Sequence, residues 1–324
     1  MTPTIVTALV CHVVSLEVIN MNNNTFEFIQ SFPDPVAQEK YLSLFGIDHI
    51  KSRLERESSI ILNPSGIENW SKKFYNKEIK LITLFKNRPP LFIFSGDVGT
   101  GKTVLAESFA DQVARQEEVK ITLYKLSLNA RGSGIVGEMT KLISESFEEI
   151  RQEAHKQANT KGAFVLFIDE ADALAQSREA VQMHHEDKAG VNALIRGIDS
   201  LRDLPTPAMI VMCTNRLTAL DPAIRRRSAV TFEFNRPSKE QCEILLKNYL
   251  SDLELTEEQI GQLAAMCVPY DGLNYGYTYS DLTQKVLPAM LLNAYPDKQI
   301  DMEIIIEVIK TTMPTAPFNE IVGS

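Results

Sequence analysis

The sequence has no paired cysteines, no long apolar run and no excess of basic charge, and each absence excludes a class of protein. Its four cysteines are scattered without a CxxC pair, so neither a disulfide framework nor a zinc site is expected. No apolar run is long enough to span a membrane. Acidic residues outnumber Lys and Arg by 42 to 33, and the net charge of −9 gives no long-range attraction to nucleic acid. These features predict a cytoplasmic globular protein with reduced thiols.

The N-terminal region contains no lysine or arginine before Lys40. A secretory signal peptide requires a basic segment before its apolar core, so this composition argues against one. Valine and isoleucine are frequent in "TPTIVTALVCHVVSLEVIN", which favours a β-strand, with a start of translation at Met21 as an alternative. Residues 1–55 carry no chemical motif and are predicted to form a small N-terminal element.

Short apolar runs alternate with amphipathic segments between residues 56 and 236. The runs at 91–96, 119–128, 163–170 and 208–215 have the length and composition of buried strands. Strands that alternate with helices predict a parallel sheet with helices on both faces. The fold class is therefore α/β.

The pattern changes to helices alone between residues 237 and 314. "SKEQ" and "TEEQ" are capping boxes that place helix starts after Ser238 and Thr256. Further helices are predicted near 280–294 and 301–313, and Pro288 kinks the first of them or marks its true start. This region is expected to form a small all-helical domain, followed by a tail at 315–324.

The segment "GDVGTGKT" follows a predicted strand and opens a predicted helix. It matches the pattern G-x-x-x-x-G-K-[ST], in which backbone N–H groups and a helix N-terminus surround phosphates. With this loop, the predicted α/β fold is of the P-loop NTPase type. Lys102 is expected to reach the β- and γ-phosphates of ATP, and the Thr103 hydroxyl to bind Mg²⁺. The residues expected to contact the nucleotide are Gly96, Asp97, Val98, Gly99, Thr100, Gly101, Lys102 and Thr103.

Asp97 places a carboxylate inside this loop, where it would repel a phosphate if it pointed inward. The residue after the first glycine can point outward, so a solvated side chain is expected. A contact with a neighbouring subunit is the alternative.

Two acids and an amide follow neighbouring strand candidates. "FVLFIDEAD" delivers Asp169 and Glu170 to the carboxyl edge of the sheet, where ligands bind in open α/β folds. Asp169 is predicted to hold Mg²⁺, and Glu170 to polarise the water that attacks the γ-phosphate. Asn215, after the run "MCTN", is expected to hydrogen-bond that water or the γ-phosphate, although a simple turn would also explain it.

Three consecutive arginines occur in "LDPAIRRRSAVTFEF", at positions 225–227. Such a run is often a solvated basic surface. Across a subunit interface, an arginine can instead stabilise the charge on a neighbour's γ-phosphate.

Together, "GDVGTGKT", "FVLFIDEAD", "VNALIRGID", "MCTN" and "LDPAIRRR" resemble the AAA+ ATPases in order and spacing. The resemblance covers residues 60–310 and implies a ring, usually a hexamer, with ATP bound between subunits. It implies that Arg226 and Arg227 act on the neighbour's nucleotide, that the helical domain is a lid, and that residues 1–55 bind substrate or an adaptor. Within the family the chain is most similar to remodellers of HORMA-domain proteins, in particular bacterial members that accompany antiphage signalling nucleotidyltransferases.

The same resemblance indicates a loop that pulls polypeptide through the ring. Its counterpart here is "GSGIVGE", in which Ile135, Val136 and Gly137 are the predicted substrate contacts. The family's usual residue at position 135 is aromatic, so the grip on substrate is expected to differ. The lid also lacks the family's nucleotide-contacting arginine in "GYTYSDL", for which Lys285 is the only substitute suggested.

Three functions are compatible with these residues. The leading hypothesis is an ATP-driven unfoldase that forms a ring and acts on a HORMA-like protein. A nucleic-acid machine of the helicase- or clamp-loader type is the alternative, which a basic stripe at Lys51, Arg53, Lys72, Lys73 and Lys77 would favour. A non-catalytic nucleotide switch would not need Glu170, Asn215 or the arginines.

Overall fold

The computed structural model describes residues 25–127, 137–173, 185–270 and 274–318, without the side chains of 185–187. Within these ranges one sheet contains six strands: β1 Phe26–Phe32, β2 Leu91–Gly96, β3 Lys120–Leu126, β4 Gly162–Ile168, β5 Ala208–Thr214 and β6 Ser228–Phe234. The helices of the first part are α1 Pro35–Leu42, α2 Asp48–Leu62, α3 Pro64–Tyr75, α4 Lys80–Lys86, α5 Lys102–Glu117, α6 Glu138–Lys156, α7 His185–Ser200 and α8 Pro222–Arg225. The lid contains α9 Lys239–Tyr249, α10 Glu257–Met266, α11 Tyr279–Asp281, α12 Leu287–Ala294 and α13 Met302–Thr311.

The strand order in the sheet is β1-β3-β4-β5-β2-β6. Strand β1 pairs antiparallel with β3, and every other pairing is parallel. The predicted parallel α/β sheet is therefore confirmed, with β1 as an added antiparallel edge.

Helices cover both faces of the sheet, and alternate residues of each strand enter different cores. Phe92 and Phe94 of β2 pack with residues of α2 and α5, whereas Leu91 and Ile93 pack with residues of α6 and α7. Strands that are buried on both faces are apolar at every position, which is why their sequence lacks alternation.

Residues 25–55 are integrated into the large domain, which differs from the separate N-terminal element that the sequence suggested. Helix α2 continues across the expected boundary at residue 55, and α1 packs on α5. Phe32, Tyr41 and Leu54 are buried in the same core as the phosphate-loop helix. Packing of this kind leaves no chemical motif in a sequence. Residues 1–24 lie outside the described residues.

The lid forms its own core from α9 to α13. The capping boxes at Ser238 and Thr256 are present as predicted. Pro288 does not mark a helix start: residues 279–294 are helical without a break, and Pro288 follows a π-helical turn at Leu282–Val286 within that helix. The wider turn accommodates a residue that has no N–H to donate. Among the described helices, none is long and apolar enough to cross a membrane.

Candidate active site

The site lies where three adjacent strands end. The order β4-β5-β2 places three segments side by side at the carboxyl edge of the sheet: Asp169 and Glu170 after β4, Asn215 after β5, and the phosphate loop after β2. Ligands bind at this edge in open α/β sheets.

A cavity of about 440 Å³ opens at this edge, which is within the usual range for small-molecule sites. Its polar wall contains residues 98–103 of the phosphate loop together with Asp169, Glu170 and Asn215. Its apolar wall contains Leu44, Phe45, Ile47, Leu245, Tyr249 and Tyr279, from the α1–α2 link and the lid. The polar wall suits the phosphates of a nucleotide and the apolar wall suits its base.

Two glycines of the loop have no room for a side chain. A Cβ on Gly96 would lie 2.0 Å from the carbonyl oxygen of Phe234 in the neighbouring strand β6. A Cβ on Gly99 would lie 2.7 Å from the Thr278 hydroxyl, and φ at Gly99 is +75°. The Ser280 N–H donates to the Gly99 carbonyl across 3.0 Å, so the lid is bonded directly to the phosphate loop.

Lys102 lies across the loop that precedes it. Its Nζ donates to the carbonyl oxygens of Gly96 and Asp97 at 2.9 and 2.6 Å. Burial lowers the pKa of this ammonium group, and nearby negative groups, among them Asp169 and Asp97, offset part of the shift. The side chain is therefore held in the loop, where a phosphate is the stronger acceptor.

The three predicted metal and base residues lie together. Thr103 Oγ1 donates to Asp169 Oδ2 at 3.0 Å, and the Glu170 N–H donates to Asp169 Oδ1 at 2.9 Å. A hydroxyl beside a carboxylate is the hard oxygen set that Mg²⁺ prefers. Glu170 is exposed to the cavity and has φ of +46°, a conformation that non-glycine residues seldom adopt and that is concentrated at functional sites.

Asn215 is positioned by the residues on either side of it. Thr214 Oγ1 donates to Asp172 at 2.9 Å and accepts the Arg216 N–H at 3.0 Å. These bonds fix the turn, and Asn215 lines the cavity beside the phosphate loop.

Asp97 points outward, but it is not solvated as the sequence suggested. Its Oδ2 accepts two hydrogen bonds from Arg236, at 2.9 Å from Nε and 2.6 Å from an Nη atom. Arg236 follows β6 at the start of the lid, 139 residues away in sequence. The contact is within one chain.

The arginine run lies at the amino ends of the parallel strands, whereas the cavity lies at their carboxyl ends, which form the opposite edge of the sheet. Ser228, at the start of β6, pairs with Leu91, whereas Phe234 at its end pairs with Gly96. Six residue steps of about 3.3 Å separate the two edges by roughly 20 Å, farther than an arginine side chain reaches. No residue of the run can therefore contact the cavity of its own chain.

The three arginines have different surroundings. Arg227 forms a bidentate ion pair with Asp199 of α7, with N···O distances from 2.9 to 3.1 Å. Arg225 and Arg226 are exposed and form no ion pair within the part of the chain that the structure describes. Of Arg226 and Arg227, the two arginines that the resemblance favours, Arg226 is thus the freer for contact with another subunit.

Sequence reasoning missed the apolar wall of the cavity. Phe45 and Ile47 flank Gly46, whose φ of +76° turns the chain between α1 and α2. The Gln241 amide donates to the Gly46 carbonyl at 2.5 Å and so joins this turn to the lid. A glycine between large apolar residues, just before a helix, is the signal that could have drawn attention to it.

Lys285 does not take the place of a nucleotide-contacting arginine. Its Nζ donates to Asp281 at 2.6 Å and to Thr315 at 2.8 Å, and the lid residues that line the cavity are Tyr279, Ser280, Thr283 and Gln284. The basic stripe is also interrupted. Lys51 is buried over the Tyr41 ring.

The pore-loop prediction falls mainly outside the described residues. Ile135 and Val136 belong to the segment 128–136. Gly137 is described, with φ of +80° at the start of α6.

Comparisons with known proteins agree with this geometry. Residues 92–237 match the model of the ATPase family associated with various cellular activities (AAA). CD-NTase-associated protein 6 of Escherichia coli strain MS 115-1 is 46% identical over 297 residues, which cover 90% of this chain and 96% of that protein. A second E. coli protein of the same name, from strain KTE188, is 35% identical over 92% of this chain and 99% of its own length.

Solved structures give the same result. A chain of the E. coli MS115-1 HORMA:CdnC:Trip13 complex superposes with a TM-score of 0.84 at 46% identity, covering 90% of this chain and 97% of that one. Rhizobiales Trip13 superposes with a TM-score of 0.73 at 41% identity, covering 90% of this chain and all of that one. PCH-2 of C. elegans, at 18% identity and a TM-score of 0.63 over 87% of this chain and 74% of its own, shares the fold. The chain therefore belongs to the AAA ATPases, which bind and hydrolyse ATP, and is closely related to CD-NTase-associated protein 6.

Proposed function

We propose that this chain is an ATP-driven protein remodeller that assembles into a ring and pulls on a HORMA-domain protein in bacterial antiphage signalling. The observation that carries the proposal is similarity over nearly the whole chain to a subunit of the HORMA:CdnC:Trip13 complex, at 46% identity and a TM-score of 0.84. The similarity includes both the large domain and the lid, so it is not limited to the phosphate loop.

The residues around the cavity are suited to ATP hydrolysis with Mg²⁺. Thr103 and Asp169 would hold the ion, which neutralises charge on the phosphates when bound. Glu170 would accept the proton of the attacking water, and Asn215 would orient that water or the γ-phosphate. Lys102 would exchange its two carbonyl partners for phosphate oxygens.

The position of the arginine run supports assembly into a ring. Arg226 is exposed about 20 Å from its own cavity, so a catalytic role requires a neighbouring copy. Arg227 would assist by the same route only if its pair with Asp199 opened. Six subunits are expected from the resemblance to AAA+ rings.

Exposed apolar side chains on the two domains also favour self-association. Trp70, Phe74 and Leu84 are exposed on α3 and α4, and Leu292 and Tyr295 are exposed at the end of α12. Large apolar side chains grouped on a surface are typical of protein interfaces. We assign these surfaces to contacts between copies of this chain.

The ring would transmit the energy of hydrolysis to the substrate through residues 135–137. Ile135 and Val136 would grip an extended chain, with Gly137 as a further contact. Because a folded domain is stable by about 5–15 kcal/mol, several ATP cycles are needed for one unfolding event. The nucleic-acid alternative is less favoured, because Lys51 is buried and Arg53 is close to Glu57.

The proposal is tested with the HORMA-domain protein from the same genome, mixed with the Glu170→Gln variant and ATP. The variant is expected to retain ATP and to hold the partner in a complex of ring size by mass photometry. The matched control is Lys102→Ala, which should bind neither ATP nor partner. A Glu170→Gln protein that loads ATP but holds DNA and not the HORMA protein would favour the alternative.

A further inference from the structure

The phosphate loop of this chain contains an acid whose charge is neutralised from a distant segment. The Asp97 carboxylate accepts two hydrogen bonds from the Arg236 guanidinium, at 2.6 and 2.9 Å. The two side chains are only 18% and 15% exposed, so solvent screens them weakly. Both bonds end on the same carboxylate oxygen, Oδ2, and hydrogen bonds between two ionised groups are among the strong contacts of proteins.

Arg236 is fixed by other contacts as well. Its remaining Nη atom donates to the Gly276 carbonyl at 2.5 Å, and its guanidinium lies 5.2 Å from the centre of the Tyr275 ring. The second oxygen of Asp97 accepts the N–H groups of Val98 and Phe318, at 2.8 and 3.3 Å. The carboxylate is thus held by the loop itself, by the start of the lid and by the C-terminal segment.

This arrangement solves an electrostatic problem that the loop creates. Residues 98–103 line the cavity in which the strongly negative phosphates of ATP would lie, and a bare carboxylate in the same loop would repel them. A planar guanidinium cancels that charge and fixes the direction in which the carboxylate points, whereas a lysine would supply only a point charge.

We propose that Arg236 is a positioning residue of the nucleotide site, which neutralises Asp97 and keeps its carboxylate turned away from the phosphates. The phosphate loop and the arginine at the start of the lid therefore form one functional unit, and the affinity for nucleotide depends on their pairing. This proposal rests on nucleotide binding alone and does not depend on the HORMA partner.

The test is a double-mutant cycle read by calorimetric binding of ADP, which is not hydrolysed. Arg236→Ala leaves the carboxylate unpaired and should raise the ADP Kd by at least about tenfold. Asp97→Asn removes the charge and should change the Kd by less than about threefold. The double variant should bind like Asp97→Asn, because no charge is left to neutralise, and Arg236→Lys should be intermediate.

A purely structural role for Arg236 predicts a different pattern. In that case the double variant would bind ADP as weakly as Arg236→Ala, and this result would overturn the proposal, as would wild-type affinity in Arg236→Ala. The matched control is Arg88→Ala, because Arg88 likewise pairs with one acid, Glu57, and donates to one carbonyl, that of Ala229. It should lower the thermal midpoint and leave the ADP Kd unchanged.

Discussion

Thr103 Oγ1 donates a hydrogen bond to Asp169 Oδ2 at 3.0 Å, which joins the first turn of α5 to the end of β4. The two residues are 66 positions apart in sequence, and the adjacent strand ends bring them together. These two side chains are the groups that would hold Mg²⁺, whose charge would help to neutralise the phosphates.

Thr103→Val should therefore shift the Mg²⁺ dependence of ATP turnover to higher Mg²⁺ concentration. Valine keeps the shape of threonine but lacks the hydroxyl, so turnover should fall by at least about tenfold. Thr103→Ser, which keeps the hydroxyl, is the control and should retain most of the activity. The measurement is steady-state phosphate release across a Mg²⁺ titration, and an unchanged titration in Thr103→Val would contradict the assignment of the metal site.

Mixing two inactive variants should restore turnover if Arg226 acts across an interface. Arg226→Ala and Glu170→Gln are each expected to lose activity, the former by about 10³-fold or more if Arg226 acts as an arginine finger. In a mixed ring, an Arg226→Ala subunit supplies Glu170 while its neighbour supplies Arg226. Phosphate release should rise above the sum of the two separate variants.

The control for this experiment is Arg225→Ala mixed with Glu170→Gln. Arg225 is the less favoured member of the run, so its variant should already be active without a partner. A mixture of Arg226→Ala and Glu170→Gln that gains no activity over the separate variants would contradict this account. Glu170 and Arg226 would then have to act from the same chain, although opposite ends of the strands hold them too far apart.

Gly99→Ala should destabilise the chain and weaken ADP binding. The new Cβ would lie 2.7 Å from the Thr278 hydroxyl and 2.9 Å from the Ser280 Cβ, at a φ of +75° that alanine disfavours. We expect a loss of at least about 1 kcal/mol in the free energy of unfolding. Gly261→Ala in α10 is the control and should instead stabilise the chain. A Cβ at Gly261 would have its nearest neighbour atom at 3.5 Å, and alanine is more favourable than glycine in a helix by about 1 kcal/mol. Urea denaturation measures the change in the free energy of unfolding of each variant. Equal changes in the two variants would contradict the close contact at Gly99.

The lid should lose stability in acid when Asp281 becomes protonated. Burial raises the pKa of this carboxyl, but hydrogen bonds from Lys285, Thr315 and the Thr278 N–H outweigh burial and hold the pKa well below its usual range. A lowered folded-state pKa gives stability that is present above about pH 4, the unfolded value, and is lost as the pH falls below it.

Urea denaturation of wild type and Asp281→Asn at several pH values tests this effect. The difference in unfolding free energy should be largest near neutral pH and should shrink below about pH 4. Asp252→Asn, at an exposed lid position, controls for net charge. A difference that stays constant down to pH 3 would contradict the role of the ionised carboxylate.

The sequence could predict those parts of the site that depend on chemical type and spacing. The phosphate loop needs glycines, Lys102 and Thr103 in a fixed order, and an apolar run that ends in Asp169 and Glu170 marks a buried strand. The structure brings these residues and Asn215 to one cavity. The bounds of the four predicted strands, β2 to β5, also agreed to within one or two residues, because buried parallel strands are nearly continuous apolar runs.

Long-range contacts could not be predicted in this way. Phe45 and Ile47 line the cavity, yet apolar residues near a turn look the same in sequence whether they face a ligand or a core. The partner of Asp97 is 139 residues away, and nothing local to Arg236 indicates that the two side chains meet.

ATP turnover with and without the HORMA-domain protein, in wild type and Glu170→Gln, tests the central claim most directly. The account predicts that the partner stimulates phosphate release by the wild type and that this stimulation is lost in the variant, which still binds ATP. Turnover that ignores the HORMA protein and rises with DNA would contradict the proposed substrate, and unchanged turnover in Glu170→Gln would contradict the proposed catalytic base.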